Sequence, residues 1–321
     1  MEVGISNLSK AGTSTAESAW LAPSANLRRR NFFQSIAVNV MRIGTLVTAL
    51  ITIGIIFSLI PPTIELLGEI TTQVFGTTWA PLFLPPEFGI LPLITGTFVI
   101  VIIAMFIAIP FGLAAALFLS DYASFNVRRV VKPILEILAG IPTVVLGLFG
   151  LYVINPGLVE KYWPIGESVG YSAIGAGLMT GVLTLPIVAS VADDALSAVP
   201  RAMREAGFAL GATRREVATK IVFNAGISGV VAAVILAFAR AFGETTVALM
   251  VAGSYPKLSL NPGDPMQTMA SFIGFAGIGD QPTDSTGYKT IFLVGSILFL
   301  VTLVFNLLGN RIISRFREVY E

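Results

Sequence analysis

Residues 226–252, GISGVVAAVILAFARAFGETTVALMVA, form an apolar run that carries two ionisable side chains, Arg240 and Glu244. About 20 residues of α-helix cross a hydrocarbon core, so the run is long enough to span a membrane. The i,i+4 spacing puts the arginine and the glutamate on one helix face. A charge near the centre of a spanning helix costs about 2.5–3.5 kcal/mol on insertion scales, so such residues face a bundle interior or a water-filled path, often beside a partner. The stretch therefore indicates a membrane helix and marks the first candidate site.

Five further apolar runs have spanning length: 38–60, 91–119, 133–154, 171–191 and 290–310. With 55% hydrophobic residues, 12% charged residues and a mean hydropathy of +0.83, the chain reads as an all-α polytopic membrane protein with six transmembrane helices. A polar tail, 1–37, precedes the membrane domain, 38–321; it is rich in Ser and Ala, contains Arg28-Arg29-Arg30, and is expected to be disordered or loosely helical. The first span begins late, exceeds a signal-peptide core in length and is followed by Pro61-Pro62, so it reads as a retained anchor.

The chain has neither cysteine nor histidine. Disulfides, thiolate metal sites, the usual general base and the commonest metal ligand are therefore all missing, which argues against hydrolytic or metal-dependent catalysis. No catalytic residue and no metal ligand is assigned. No phosphate-cradling Gly-rich P-loop occurs either. Any ATP hydrolysis belongs to another polypeptide.

Basic residues give the orientation. The N-terminal segment holds Lys10, Arg28, Arg29, Arg30 and Arg42; the loop between spans two and three holds Arg128, Arg129 and Lys132. The loop between spans four and five holds Arg201, Arg204, Arg214, Arg215 and Lys220, and the C-terminal end Arg311, Arg315 and Arg317. The alternate loops hold only Lys161, Lys257 and Lys289. By the positive-inside rule both termini lie in the cytoplasm, in keeping with an even number of spans. Trp79, Trp163 and Tyr255 stand where span ends meet headgroups, as aromatic belts do. Gly177-x3-Gly181 permits close helix approach, a packing feature rather than a functional one.

The loop 192–225 is the most structured polar segment. Pro200 suits a first helical turn, Arg201 to Leu210 are good helix formers, and Gly211 is a natural stop. Thr213-Arg214-Arg215-Glu216 matches the S/T-x-x-E capping box, so a second helix starts at Arg214. The result is a short helix-turn-helix between two spans. Those spans hinder approach to a duplex, so no nucleic-acid role is assigned despite the five basic residues. The plain reading is a folded connector; the functional one is a docking element, with Ala202, Met203, Ala206, Gly207 and Leu210 as a small-residue face that enters a partner's groove.

Glu205-Ala206-Gly207-x3-Gly211, followed by Ile221, resembles the EAA loop of ABC importer permeases, E-A-A-x3-G-x9-I-x-L-P. Gly207 replaces an Ala of that pattern, and Phe223-Asn224 stand where Leu-Pro is usual. Val199-Pro200-Arg201-x2-Arg204-Glu205, Ala209-Leu210-Gly211-Ala212-Thr213-Arg214, Leu138-Ala139-Gly140-Ile141-Pro142-Thr143 and Ala239-Arg240-Ala241-Phe242-Gly243-Glu244-Thr245 are similar to phosphate ABC importer permeases. The PstC type is the nearer resemblance and the PstA type the second; the similarity covers roughly 91–310.

The resemblance implies a type I importer permease (MetI-like) architecture and a transport subunit for inorganic phosphate in the cytoplasmic membrane of a prokaryote. It implies three kinds of partner besides membrane lipid: a second permease subunit, two ATPase subunits that bind ATP and Mg, and an extracytoplasmic phosphate-binding protein. No cofactor is bound by this chain itself. Arg240, Glu244 and Thr245 match the family's R-x3-E-T segment linked to phosphate passage. Arg204, Glu205, Ala206, Gly207, Leu210 and Gly211 belong to the coupling loop seated on the ATPase.

The arginine's fixed charge and planar fork of donors suit phosphate oxygens, and Glu244 would hold the empty guanidinium and keep affinity low enough for release. Other readings are a permease for sulfate or molybdate, a membrane phosphate sensor without transport, and, for the Arg240–Glu244 pair alone, a salt bridge that locks two helices. Glu136 lies four residues after Lys132 and reads as its interfacial partner, while Arg128 and Arg129 read as orientation signals or lipid contacts.

Overall fold

The apolar runs are helical, with two interruptions that matter for the site. The computed structural model describes residues 25–71, 73–163 and 170–316; of the tail expected over 1–37, residues 1–24 lie outside them and 25–37 belong to a helix. Helix α1 is Ala25–Ile70 and runs through Pro61 and Pro62, well beyond the expected span end at 60. The chain divides into two compact units, Met1–Ser58 and Leu59–Glu321.

In the second unit, Trp79–Ala80 (β1) pairs antiparallel with Glu87–Phe88 (β2). Helix α2, Leu91–Leu117, is followed by a π-helical turn, Phe118–Tyr122. Then come α3, Phe125–Ala139, and α4, Thr143–Phe149, which continues as π-helix over Gly150–Val159. Helix α5 is Ala173–Ser197, α6 is Arg201–Ala209 and α7 is Arg214–Glu216, prolonged by π-helical Val217–Val222 and by Phe223–Ala225. Helix α8, Ile227–Phe242, precedes a π-helical turn Ala248–Ala252; α9 is Met269–Ile278 and α10 is Thr286–Phe316.

Among the described residues, five helices are long and apolar enough to cross a membrane: Arg30–Ile70, Leu91–Tyr122, Thr143–Tyr162, Ala173–Ser197 and Thr286–Ser314. A sixth exists if Arg214–Ala225 and Ile227–Phe242, bent by 73°, count as one span. The expected third span, 133–154, is two helices instead, because Gly140-Ile141-Pro142 breaks the run: Pro142 has no amide hydrogen and takes an extended ψ of 131°. The part before the break, α3, is amphipathic. Helix α9 has no counterpart in the sequence expectation; at ten residues it is too short to register as a span.

Helices α2 and α5 pack in parallel, and glycine sets their distance. A Cβ on Gly177 would lie 2.6 Å from the Ile103 Cβ, one on Gly181 would lie 3.0 Å from the Ala104 carbonyl oxygen, and one on Gly112 would lie 2.7 Å from the Val188 Cβ. Small residues are what let membrane helices approach so closely. At the start of α5 the free amides are satisfied by the segment after residue 252. Ala173 N–H donates to the Asp264 carbonyl (3.0 Å) and Ile174 N–H to the Pro262 carbonyl (2.7 Å). The buried Asn155 amide donates to the carbonyls of Gly170 (2.8 Å) and Val251 (3.1 Å) and accepts from the Ser172 hydroxyl. These bonds pair the polar groups at the start of α5, as an apolar surround requires; among the described residues the buried Trp79 Nε1 and Thr180 Oγ1 have no hydrogen-bond partner.

The three residues expected in aromatic belts differ in exposure. Trp79 is 3% exposed and meets the Phe272 ring edge-on at 5.0 Å; it is a core residue of the hairpin end, not a headgroup anchor. Trp163 and Tyr255 are exposed.

Candidate functional site

Arg240 lies in the last turn of α8, and the helix stops at Gly243. The expectation of an uninterrupted helix over 226–252 is therefore corrected: the chain breaks at Gly243-Glu244-Thr245 before the next turn begins. Glu244 closes the break from both sides. One carboxylate oxygen accepts from the Arg240 guanidinium at 2.7 Å, and the other accepts from the Val247 N–H at 3.1 Å, capping the following turn. The α8 C-terminus, where the peptide dipoles leave partial negative charge, favours the cation.

The two partners differ in exposure. The Glu244 side chain is 3% exposed and that of Arg240 is 37% exposed. A fixed, buried carboxylate thus tethers a guanidinium whose other edge is open. Arg240 is 13 residues past the start of α8 at Ile227, which at 1.5 Å per residue puts it roughly 20 Å along the helix axis. Thr245 does not join the guanidinium. Its hydroxyl turns back to the Gly243 carbonyl and its methyl group faces Gly274 of α9.

Arg240 is also one of the residues that line a cavity of about 470 Å³ between α3, α5 and α8. Its polar lining is Arg240, Glu136 and Ser190; the rest is apolar, with Leu135, Pro186 and Leu236 among the walls. Glu136 was expected to pair with Lys132. Lys132 instead binds Asp194 (2.5 Å) and Asp193 (3.4 Å) of α5, and its pKa is raised above the ordinary lysine value by the Asp194 hydrogen bond and the two nearby carboxylates, against a partly opposing burial.

The helix-turn-helix at 201–216 is present as the sequence indicates. Gly211 adopts φ +83°, and the Thr213/Glu216 capping box is complete. Its residues divide between two faces. Glu205, Ala206 and Leu210 are exposed, with Ala202 beside them. Gly207 is buried, and a Cβ there would lie 2.5 Å from the Ile221 Cδ1 and 3.1 Å from a Val217 methyl, so α6 sits tight on the chain that leads to α8. Met203 packs inward on the same core. The expected docking face is therefore narrower: Ala202, Ala206 and Leu210 with Glu205, without Met203 or Gly207.

Arg204 also points inward. Its Nε donates to the Asp121 carboxylate at 3.0 Å, and its terminal nitrogens donate to the carbonyls of Val199 (2.5 Å) and Leu196 (2.8 Å). Arg214 donates to the Asp121 carbonyl and lies 5.0 Å from the Tyr122 ring centroid. Asp121, missed in the sequence, is thus the junction between the α2 end and the loop. Asp193 was missed too: fully buried, it receives Arg128 at 2.9 Å, which corrects the reading of Arg128 as a lipid or orientation residue. Acidic residues at the ends of apolar runs, each matched by a basic cluster elsewhere, were the signal available.

Comparison with known proteins sets these features in a family. Residues 108–318 match the family model of the binding-protein-dependent transport system inner membrane component. The chain is 33% identical over 237 residues to a probable ABC transporter permease protein, YqgH, of Bacillus subtilis, covering 74% of this chain and 75% of that protein. It is 30% identical over 258 residues to the phosphate transport system permease protein PstC of Xylella fastidiosa, covering 75% and 78%. Among solved structures, a bacterial ABC transporter involved in import of the acidic polysaccharide alginate aligns with a TM-score of 0.54 at 16% identity, over 88% of this chain and 99% of that one. The inward-facing MetNI methionine ABC transporter aligns with a TM-score of 0.52 at 19% identity, over 71% and 94%. The family model covers about two thirds of the chain, and the chain belongs to the binding-protein-dependent transport system inner membrane component family.

Proposed function

We propose that this chain is one permease subunit of an ATP-driven importer that carries inorganic phosphate across the cytoplasmic membrane of a prokaryote. The observation that carries the reading is the half-open Arg240 guanidinium, tethered by a 3%-exposed Glu244 on the wall of an otherwise largely apolar cavity. Relatives named phosphate transport system permease protein PstC support the choice of anion.

Arg240 keeps N–H donors beyond the one given to Glu244, and they meet phosphate oxygens as charge-assisted bonds. Glu244 holds the guanidinium when the site is empty and competes with the anion, so binding stays weak enough for release. Both termini and the loop 192–225 face the cytoplasm. Two ATPase subunits, which bind ATP and Mg, dock on α6 through Glu205, Ala206 and Leu210; a second permease subunit completes the path, and an extracytoplasmic phosphate-binding protein delivers the anion. Arg204 transmits movement of α6 to Asp121 and hence to α2.

The test is uptake of labelled phosphate in cells whose other phosphate importers are deleted. Unlabelled phosphate competes and excess sulfate or molybdate does not. Sulfate or molybdate uptake through this chain, with phosphate excluded, overturns the proposal.

A further inference from the structure

We infer that Asn155 is a positioning residue of the anion site: its buried side-chain amide fixes the short helix that Glu244 caps and, through Glu244, the Arg240 guanidinium. The inference rests on the phosphate-importer reading above and deepens it. After the break at Gly243-Glu244-Thr245 the chain is helical again over 246–252, as one short piece. That piece is held at both ends. At its start the Glu244 carboxylate accepts from the Val247 N–H while its other oxygen holds Arg240. At its end the Val251 carbonyl accepts from the Asn155 amide (3.1 Å) and from the Ser172 N–H (3.0 Å). The Ala252 carbonyl accepts from the Met266 N–H (3.0 Å).

Asn155 is 1% exposed and belongs to the π-helical stretch Gly150–Val159, a geometry frequent at functional sites. Helix α4 and this stretch lie directly on the short helix. A Cβ on Gly147 would be 2.7 Å from the Met250 sulfur, and one on Gly150 would be 2.7 Å from a Val251 methyl. The amide nitrogen also donates to the Gly170 carbonyl (2.8 Å), and the amide oxygen accepts from the Ser172 hydroxyl (2.8 Å), which caps the start of α5. A Cβ on Gly175 would collide with that amide oxygen, so the side chain has no room to turn. Fully satisfied buried networks of this kind rigidify the elements they join. Glu244 needs such support, because it lies in the break, outside both helices, and the guanidinium it tethers must be held to within about half an ångström to meet an anion productively. Asn155 therefore refers the position of the Arg240–Glu244 pair to α4 and to the start of α5.

The test follows modification of individual arginines by phenylglyoxal, an arginine-selective dicarbonyl, peptide by peptide by mass in the assembled transporter. Arg204, 17% exposed and ion-paired, is the internal control for global loosening. Asn155→Asp keeps the side chain's shape and the bond from Ser172 but removes the donations to Gly170 and Val251. It should speed Arg240 modification at least about fivefold, the factor for one lost hydrogen bond, and leave Arg204 unchanged. Glu244→Gln alone should also speed it, and adding Asn155→Asp should then change nothing, since Asn155 acts through Glu244. Ser172→Ala, which removes only the donor to the amide oxygen, should act in the same direction by a smaller factor, and it decides the matter if Asn155→Asp does not assemble. Unchanged Arg240 modification, Arg204 rising in step with Arg240, or a full further effect on top of Glu244→Gln overturns the inference. Phosphate uptake per assembled complex separates the two claims: it should fall with Asn155→Asp, and normal uptake by a variant whose Arg240 is freed removes instead the phosphate-path reading.

Discussion

Replacing Arg204 by Ala removes a staple whose strength follows from its surroundings. The Arg204 and Asp121 side chains are 17% and 7% exposed, so the pair is close to a buried ion pair rather than a surface one. Its loss strands a carboxylate that, among the described residues, keeps only the Ser120 hydroxyl as a side-chain donor, and it frees two carbonyls, of Val199 and Leu196. Removing one partner of a buried pair costs about 3–5 kcal/mol, whereas a solvent-exposed pair is worth about 0–1 kcal/mol. The remaining exposure favours the lower end, about 3 kcal/mol. Equilibrium unfolding in detergent measures it, with Asp121→Ala and the double variant completing a cycle. Asp121→Ala should cost far less once Arg204 is gone. A loss below about 1 kcal/mol, or strictly additive single effects, refutes the claim that Arg204 joins α6 to α2.

Three other outcomes follow from the same geometry. Gly211→Ala should cost about 1–2 kcal/mol in the same unfolding assay, because Gly211 sits at φ +83° and a Cβ there meets the following carbonyl. Glu205→Lys should leave that stability unchanged, since Glu205 is exposed, yet abolish uptake and co-purification with the ATPase; retention of both would remove α6 as the docking helix. Asp193→Ala should destabilise by about 2 kcal/mol through loss of charge-assisted bonds from Arg128 and Lys132, an effect that Arg128→Ala should largely mask.

How much was legible in the sequence varied with the range of the interaction. Local signals read well: the Thr213–Glu216 capping box, the Gly211 stop and the Gly177/Gly181 approach are all as their residue types dictate. Hydropathy found the long helices but not their breaks. An apolar window averages over Gly140-Ile141-Pro142 and Gly243-Glu244-Thr245, although proline and glycine there end the helices. What the sequence hid was pairing at a distance. Nothing local says that Arg128 seeks Asp193, 65 residues away, or that Lys132 turns from Glu136, a neighbour at i+4, to α5. The identity of Arg240 and Glu244 as a pair was readable from spacing. That Glu136 lines the same cavity as Arg240 was not, because it depends on how α3 folds back against α5.

The most direct test of a transport role for Arg240 is phosphate uptake by Arg240→Ala in cells, with assembly checked by co-purification of the second permease and the ATPase. The expected result is an intact complex whose uptake falls by at least about tenfold, the factor for one lost charge-assisted bond of roughly 1.5–3 kcal/mol. Normal phosphate uptake by that variant would contradict a path that runs past this guanidinium.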